Sequence, residues 1–175
     1  EQFVLLDEQQ VAFRVVMNAV RQASEANTKT VVIVLGGPGS GKSVIALSLL
    51  GELARQGRVV LHATGSRSFT QTLRQVAGRG STRTKALFKY FNSFMDTERN
   101  GLEVLILDEA HRLRAKSVNR YTPTALRELA RPQIEELLDA ARVPVFLLDQ
   151  HQVVRPGEMG SVPEIEAHAR ARGLE

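Results

Sequence analysis

The chain of 175 residues contains no cysteine, which excludes disulfides and any thiolate metal site and is compatible with a cytoplasmic location. No apolar run approaches the roughly 20 residues of a membrane-spanning helix, so a soluble protein with no membrane partner is expected. The first residues, Glu1-Gln2-Phe3-Val4-Leu5-Leu6-Asp7, lack both a basic region and a long apolar core, so no signal peptide is expected. The missing initiating Met suggests an excised or processed segment. Repeats and low-complexity tracts are absent as well. Acidic residues are lacking locally: Ser66 to Met95 holds Arg67, Arg74, Arg79, Arg83, Lys85 and Lys89 and no carboxylate. On a chain of net charge +4, such a one-signed stretch suggests a polyanionic partner, with a solvated basic face as the alternative.

What is present is ordinary globular composition, 43% hydrophobic and 24% charged. At this length one domain over residues 1–175 is expected, burying roughly 70% of its extended surface.

Residues Gly36-Gly37-Pro38-Gly39-Ser40-Gly41-Lys42-Ser43 spell Gly-x-x-x-x-Gly-Lys-Ser. The preceding run, Thr30 to Leu35, is β-branched and apolar, as a strand buried on both faces of a parallel sheet should be, so a central strand is expected. Val44, Ile45, Leu47, Leu49, Leu50 and Leu53 then recur at helical spacing up to Gly57. A glycine-rich loop between strand and helix turns backbone N–H groups inward, and the helix N-terminus adds donors and partial positive charge. This chemistry binds the phosphates of a nucleoside triphosphate. Lys42 is placed to reach the β- and γ-phosphates and Ser43 to ligate Mg²⁺.

Apolar and amphipathic segments alternate in βαβα order, which predicts a three-layer α/β domain with a mostly parallel sheet. Asp7 and Gln10 form an Asp-x-x-Gln capping box for a first helix with apolar positions Val11, Val15, Ala19 and Val20. A second strand is expected over 58–63 and a helix over 68–76. The aromatics Phe88, Tyr90, Phe91 and Phe94 suggest a core-facing helix over 85–95, rather than a base-stacking surface. A third strand is expected over 103–107, a long helix over 124–141, a strand over 143–148 and a final helix after Pro163.

Past the third strand stand Asp108-Glu109-Ala110-His111. One carboxylate, Asp108, can hold Mg²⁺ beside Ser43, while Glu109 orients and deprotonates the attacking water. The next strand ends at Asp149-Gln150-His151-Gln152, at the edge where ligands of open α/β sheets collect. The Gln152 amide can donate to a phosphate oxygen and accept from water, which suits sensing of the γ-phosphate.

These three constellations resemble the first RecA-like domain of superfamily 1 helicases, in particular the Schlafen-like group of helicase domains. In that resemblance Gly36 to Ser43 is the Walker A motif, Asp108 to His111 the Walker B motif, and Asp149-x-x-Gln152 the γ-phosphate motif. The stretch from Asp149 to Glu158, including Arg155-Pro156-Gly157-Glu158, is similar to the form this group uses, although Leu148 stands where many superfamily 1 members have Gly. Leu5 to Ala12 resembles the adenine-recognising motif, with Gln9 the better-spaced glutamine and Gln10 adjacent. The segment from His62 to Ser66 falls where these motors contact single-stranded nucleic acid, and with the basic stretch that follows it nominates Thr64, Ser66, Arg67 and Arg74.

The resemblance implies ATP and Mg²⁺ as cofactors, and single-stranded DNA or RNA as partner. Motifs of the second RecA-like domain are missing from the chain, so a second lobe of the parent protein is an implied partner. An arginine supplied across such a cleft is worth roughly 10³–10⁵ in rate. The isolated domain is therefore expected to bind ATP better than it hydrolyses it. A nucleotide-driven signalling or defence switch acting on protein partners is the alternative reading. A small-molecule kinase fits less well, because transfer to a substrate hydroxyl does not need the carboxylate pair.

Overall fold

The computed structural model describes residue 5 and residues 7–37, 41–77, 82–149 and 160–174. In chain order the elements are α1 (Asp7–Ala26), β1 (Val32–Gly36), α2 (Lys42–Arg55), β2 (Val60–Thr64), α3 (Arg67–Ala77), the single turn α4 (Thr82–Lys85) and β3 (Phe88–Tyr90). There follow a 3-10 turn (Phe91–Phe94), β4 (Leu102–Asp108), a second 3-10 turn (Ala110–Arg112), α5 (Thr124–Leu129), α6 (Gln133–Ala140), β5 (Ala141–Asp149) and α7 (Val162–Ala171). The strands form one all-parallel sheet in the order β1-β5-β4-β2-β3. Register sets Gly36 beside Asp149 and Thr64 beside Asp108. Loop, carboxylate pair and β2 terminus thus share the carboxyl edge of the sheet, where α/β folds place their ligands.

Alternation along β4 divides the core. Val104 and Ile106 pack with Val16, Val20, Leu49 and Leu53 from α1 and α2. Leu105 and Leu107 face the other way, toward Leu137, Leu138 and Ile165 of α6 and α7. Both faces are covered, so the expected three-layer RecA-like α/β architecture is the observed one.

Five local expectations change. The loop strand β1 is an edge strand among the described residues, paired only with β5, and Leu35 is 46% exposed. An apolar β-branched run does not distinguish centre from edge, because strand order is decided by the crossovers. On α1 the buried stripe is Gln9, Val16, Val20 and Ala23, while Val11 and Val15 face outward. Gln10 donates to the Leu5 carbonyl at 3.0 Å, instead of reaching back to Asp7 as a capping box requires.

The aromatic segment is a short strand followed by a 3-10 turn, not a helix. Phe88, Phe91 and Phe94 are all at most 3% exposed. Their spacing of three runs from the first position of β3 through one 3-10 turn, so the inward packing holds although the element differs. The long helix expected over 124–141 is two helices. Pro132 has no N–H to give and disfavours helical geometry in the residue before it, so α5 ends at Leu129 and α6 restarts with Pro132 as its cap.

Candidate nucleotide site and an adjoining basic cavity

At the loop, Gly41 takes φ 79 as the N-cap of α2, a left-handed geometry that favours glycine. Its carbonyl accepts from the N–H groups of Val44 and Ile45 at 3.0 and 3.1 Å, and no carboxylate occupies the first turn of the helix. Lys42 Nζ arches back to the carbonyls of Gly36 and Gly37 at 3.2 and 2.9 Å. Ser43 follows, half-buried, in the same turn. A Cβ at Gly41 would overlap Nε2 of Gln9, which places the buried Gln9 amide against the loop. Of the two adjacent glutamines, Gln9 is the one folded onto the nucleotide loop. Pro38, Gly39, Ser40 and Gln152 lie outside the described residues.

The adjacent carboxylates at the end of β4 part company. Asp108 is 2% exposed, accepts from the Glu109 N–H at 2.9 Å and has its other oxygen 3.4 Å from His62 Nε2. Glu109 adopts φ 50, a left-handed conformation that costs a non-glycine residue on the order of 1 kcal/mol. The two carboxylates have different partners, Asp108 facing His62 and Glu109 facing Arg112. Glu109 Oε2 sits 3.3 Å from Arg112 Nε, with the two side chains 32% and 31% exposed. Gly160 backs the turn: a Cβ there would overlap the Ala110 carbonyl oxygen and lie 2.6 Å from His111 Cα.

Beside this turn opens a cavity of about 360 Å³ lined by Arg67, Arg112, Arg114 and Lys116, by Tyr90, Phe91 and Asn92, and by Thr64, Gly65, Ser117, Val118, Asn119 and Gln133. No carboxylate lines it. Its outer wall, residues 113–119, is pinned to α6. Gln133 accepts from the Arg114 N–H at 2.8 Å and donates to Ser117 Oγ at 3.0 Å, and Ser117 donates to Glu136 at 2.7 Å. Burial pushes the Glu136 carboxyl above its ordinary value, against the lowering effect of the Ser117 hydroxyl.

Of the residues nominated for nucleic acid, Arg67 reaches this cavity and Thr64 lines it while buried, its Oγ1 accepting from the Ser66 N–H at 3.2 Å. Ser66 takes a structural part, its carbonyl accepting from the Thr70 N–H and hydroxyl, both at 3.0 Å. Arg74 belongs to α3, and its side chain lies outside what is described. Sequence reasoning overlooked His62 beside Asp108, the Gly160 contact, and the cations of the outer wall. A signal for the last was present: Arg112, Arg114 and Lys116 alternate around Leu113, which is fully buried.

Residues 29–175 match the family described as Schlafen group 3, DNA/RNA helicase domain. The chain belongs to this family. No curated protein matches this chain. Among solved structures it is similar to AMPPCP-bound DnaA from Aquifex aeolicus, with 16% identity and a TM-score of 0.49, over 98% of this chain and 46% of that one. A DNA replication initiation factor gives 15% identity and a TM-score of 0.48, over 99% and 54%. The Sulfolobus solfataricus SWI2/SNF2 ATPase core in complex with dsDNA gives 13% and 0.45, over 99% and 41%. The Schlafen group 3 domain thus spans about half the length of these chains. No helix of its described residues is long and apolar enough to cross a membrane.

Proposed function

We propose that this chain is the nucleotide-hydrolysing lobe of a nucleic-acid helicase or translocase. The observation that carries the reading is the splitting of Asp108 from Glu109 by the left-handed turn, at the same sheet edge as the Lys42 loop. Hydrolysis needs one carboxylate held with the phosphates and another free to act on water. The buried Asp108 and the partly exposed Glu109 meet that division of labour. The glycine-rich loop and the α2 N-terminus cradle the phosphates, Lys42 neutralises the terminal ones, and Gln9 borders the loop on the side toward the base.

Ser43 and Asp108 supply the hard oxygen donors that Mg²⁺ takes beside phosphates. Among the described residues there is no cluster of three or more His, Asp or Glu that could hold a metal ion. Bound at Ser43 and Asp108, Mg²⁺ supplies charge neutralisation of the phosphate oxygens. Glu109 takes a proton from water as the water oxygen bonds to the γ-phosphorus. The bond from that phosphorus to the bridging oxygen breaks, and ADP leaves with the electron pair. Gln152 completes the reading as the γ-phosphate sensor, and a second RecA-like lobe of the parent protein closes the cleft. The basic cavity and the Schlafen group 3 membership support single-stranded DNA or RNA as the track.

The test is nucleotide binding and hydrolysis by the whole parent protein. Lys42→Ala loses ATP binding, whereas Glu109→Gln retains binding and loses hydrolysis. Hydrolysis by Glu109→Gln at the parental rate would overturn the assignment of the base. Rates indifferent to nucleic acid at every salt concentration would favour a switch acting on protein partners.

A further inference from the structure

We propose that Arg112 is a positioning residue that restrains Glu109 at rest and releases it when a phosphodiester of single-stranded nucleic acid enters the basic cavity. The proposal rests on the hydrolytic reading above and adds the means by which the track is coupled to the base. Arg112 belongs to both sites at once. Its Nε lies 3.3 Å from Glu109 Oε2, and its stem packs against Gly65 on the cavity wall, where a Cβ at that glycine would come within 3.0 Å of the Arg112 Cβ.

The contact with Glu109 is one that a ligand can replace. The two facing atoms are individually buried, yet they form no aligned hydrogen bond. A partly exposed pair three residues apart in sequence is worth at most about 1 kcal/mol. A phosphate offers the same guanidinium a charge-assisted, bidentate partner, roughly twice as strong as a neutral hydrogen bond.

The cavity is made to bring that phosphate in. Arg67, Arg114 and Lys116 line it, and among the described residues their side chains form no ion pair. A polyanion therefore meets a field of one sign before it reaches Arg112. Tyr90 lines the cavity as well, and an aromatic side chain among cations suits nucleic acid better than an acidic peptide. The wall carrying Arg114 and Lys116 is braced by the Gln133–Ser117–Glu136 hydrogen bonds, so the cations stay in place while Arg112 changes partner.

The experiment measures steady-state ATP hydrolysis by the parent protein, with and without oligo(dT), oligo(U) or polyglutamate. Arg112→Ala raises kcat without nucleic acid by roughly fivefold, equivalent to the loss of about 1 kcal/mol of restraint. It leaves KM for ATP in place and removes most of the further stimulation by oligo(dT) and oligo(U). Arg112→Lys, which keeps the charge and the stem, restores the low resting rate. Arg114→Glu raises the oligonucleotide concentration needed for half-stimulation, a readout that stands if Arg112→Ala does not fold.

An unstimulated kcat equal to the parental one, with stimulation intact, overturns the proposal. So does a rate that falls in every condition, which makes Arg112 merely structural, or equal stimulation by polyglutamate, which makes the ligand any polyanion. Failure of the hydrolytic reading is distinguishable, because there Glu109→Gln retains activity whatever Arg112 does.

Discussion

Asp139 and Glu109 each face arginine, and the two contacts are built to opposite purposes. Asp139, near the end of α6, accepts from Arg131 at 2.5 Å and from Arg172, which joins α6 to the end of α7. Burial opposes its charge, yet the hydrogen bonds from Arg131 and Arg172 hold the carboxyl below its ordinary value. Glu109 has one arginine at 3.3 Å, no aligned hydrogen bond and a strained backbone. Aligned, shared and shielded, the first contact holds two helices together. Single, unaligned and half-open, the second is available for exchange, which is what the proposed role of Glu109 as base requires.

The sharpest test of the contrast exchanges the two carboxylates' consequences. Glu109→Gln lowers hydrolysis by on the order of 10²–10⁴-fold, the usual worth of a general base, while unfolding in denaturant changes by less than about 0.5 kcal/mol. Asp139→Ala does the reverse. It costs about 3 kcal/mol of unfolding free energy, the low end for breaking a shielded pair because Arg131 is 43% exposed, and leaves hydrolysis per folded molecule unchanged. The Asp139 contribution is present above the ordinary carboxylate pKa and is lost as pH falls through the depressed folded value, so the variant also flattens the acid side of the stability profile. Equal losses of stability in both variants would erase the distinction.

Gly160→Ala probes the backing of the Glu109 turn. Its new methyl meets the Ala110 and His111 backbone, with an expected cost of roughly 2 kcal/mol from overpacking. Hydrolysis falls as well, since the turn carrying Glu109 must shift. The smallest effect concerns Lys29, which lies near Asp139 and Arg172 and donates to Asn100 at 2.9 Å. Burial lowers its pKa to about 8, the attraction of Asp139 only partly opposing this. Between about pH 8 and 10.5 the unfolded lysine keeps a proton that the folded one has released, so stability rises with pH. Lys29→Met flattens that rise, a change below about 1 kcal/mol because the side chain is partly solvated.

Much of the candidate site could be read along the chain. The Gly36 to Ser43 loop and the Asp108-Glu109 pair are contiguous, and their placement after apolar runs follows from the way parallel strands are buried. Gln9 was singled out by spacing, and its packing against Gly41 separates it from Gln10. Other features were not legible because they depend on partners remote in sequence. The outward turn of Val11 and Val15 depends on where α1 lies against α2 and the sheet. The basic cavity draws on residues from 64 to 133, brought together only when β2, β3 and β4 end at one edge. The helix expected over 124–141 ran through Pro132, and the split of α5 from α6 follows from the chemistry of that proline.

By itself the sequence determined the glycine-rich loop between a strand and a helix, the alternating α/β class, and the adjacent carboxylate pair, because each rests on neighbouring residues and local backbone geometry. Tertiary structure decided that β1 lies at the edge among the described residues, that His62 meets Asp108 across 46 residues, and that Arg112 stands between Glu109 and the cavity. Those outcomes follow from strand order and packing, which the apolar period of an isolated segment does not encode.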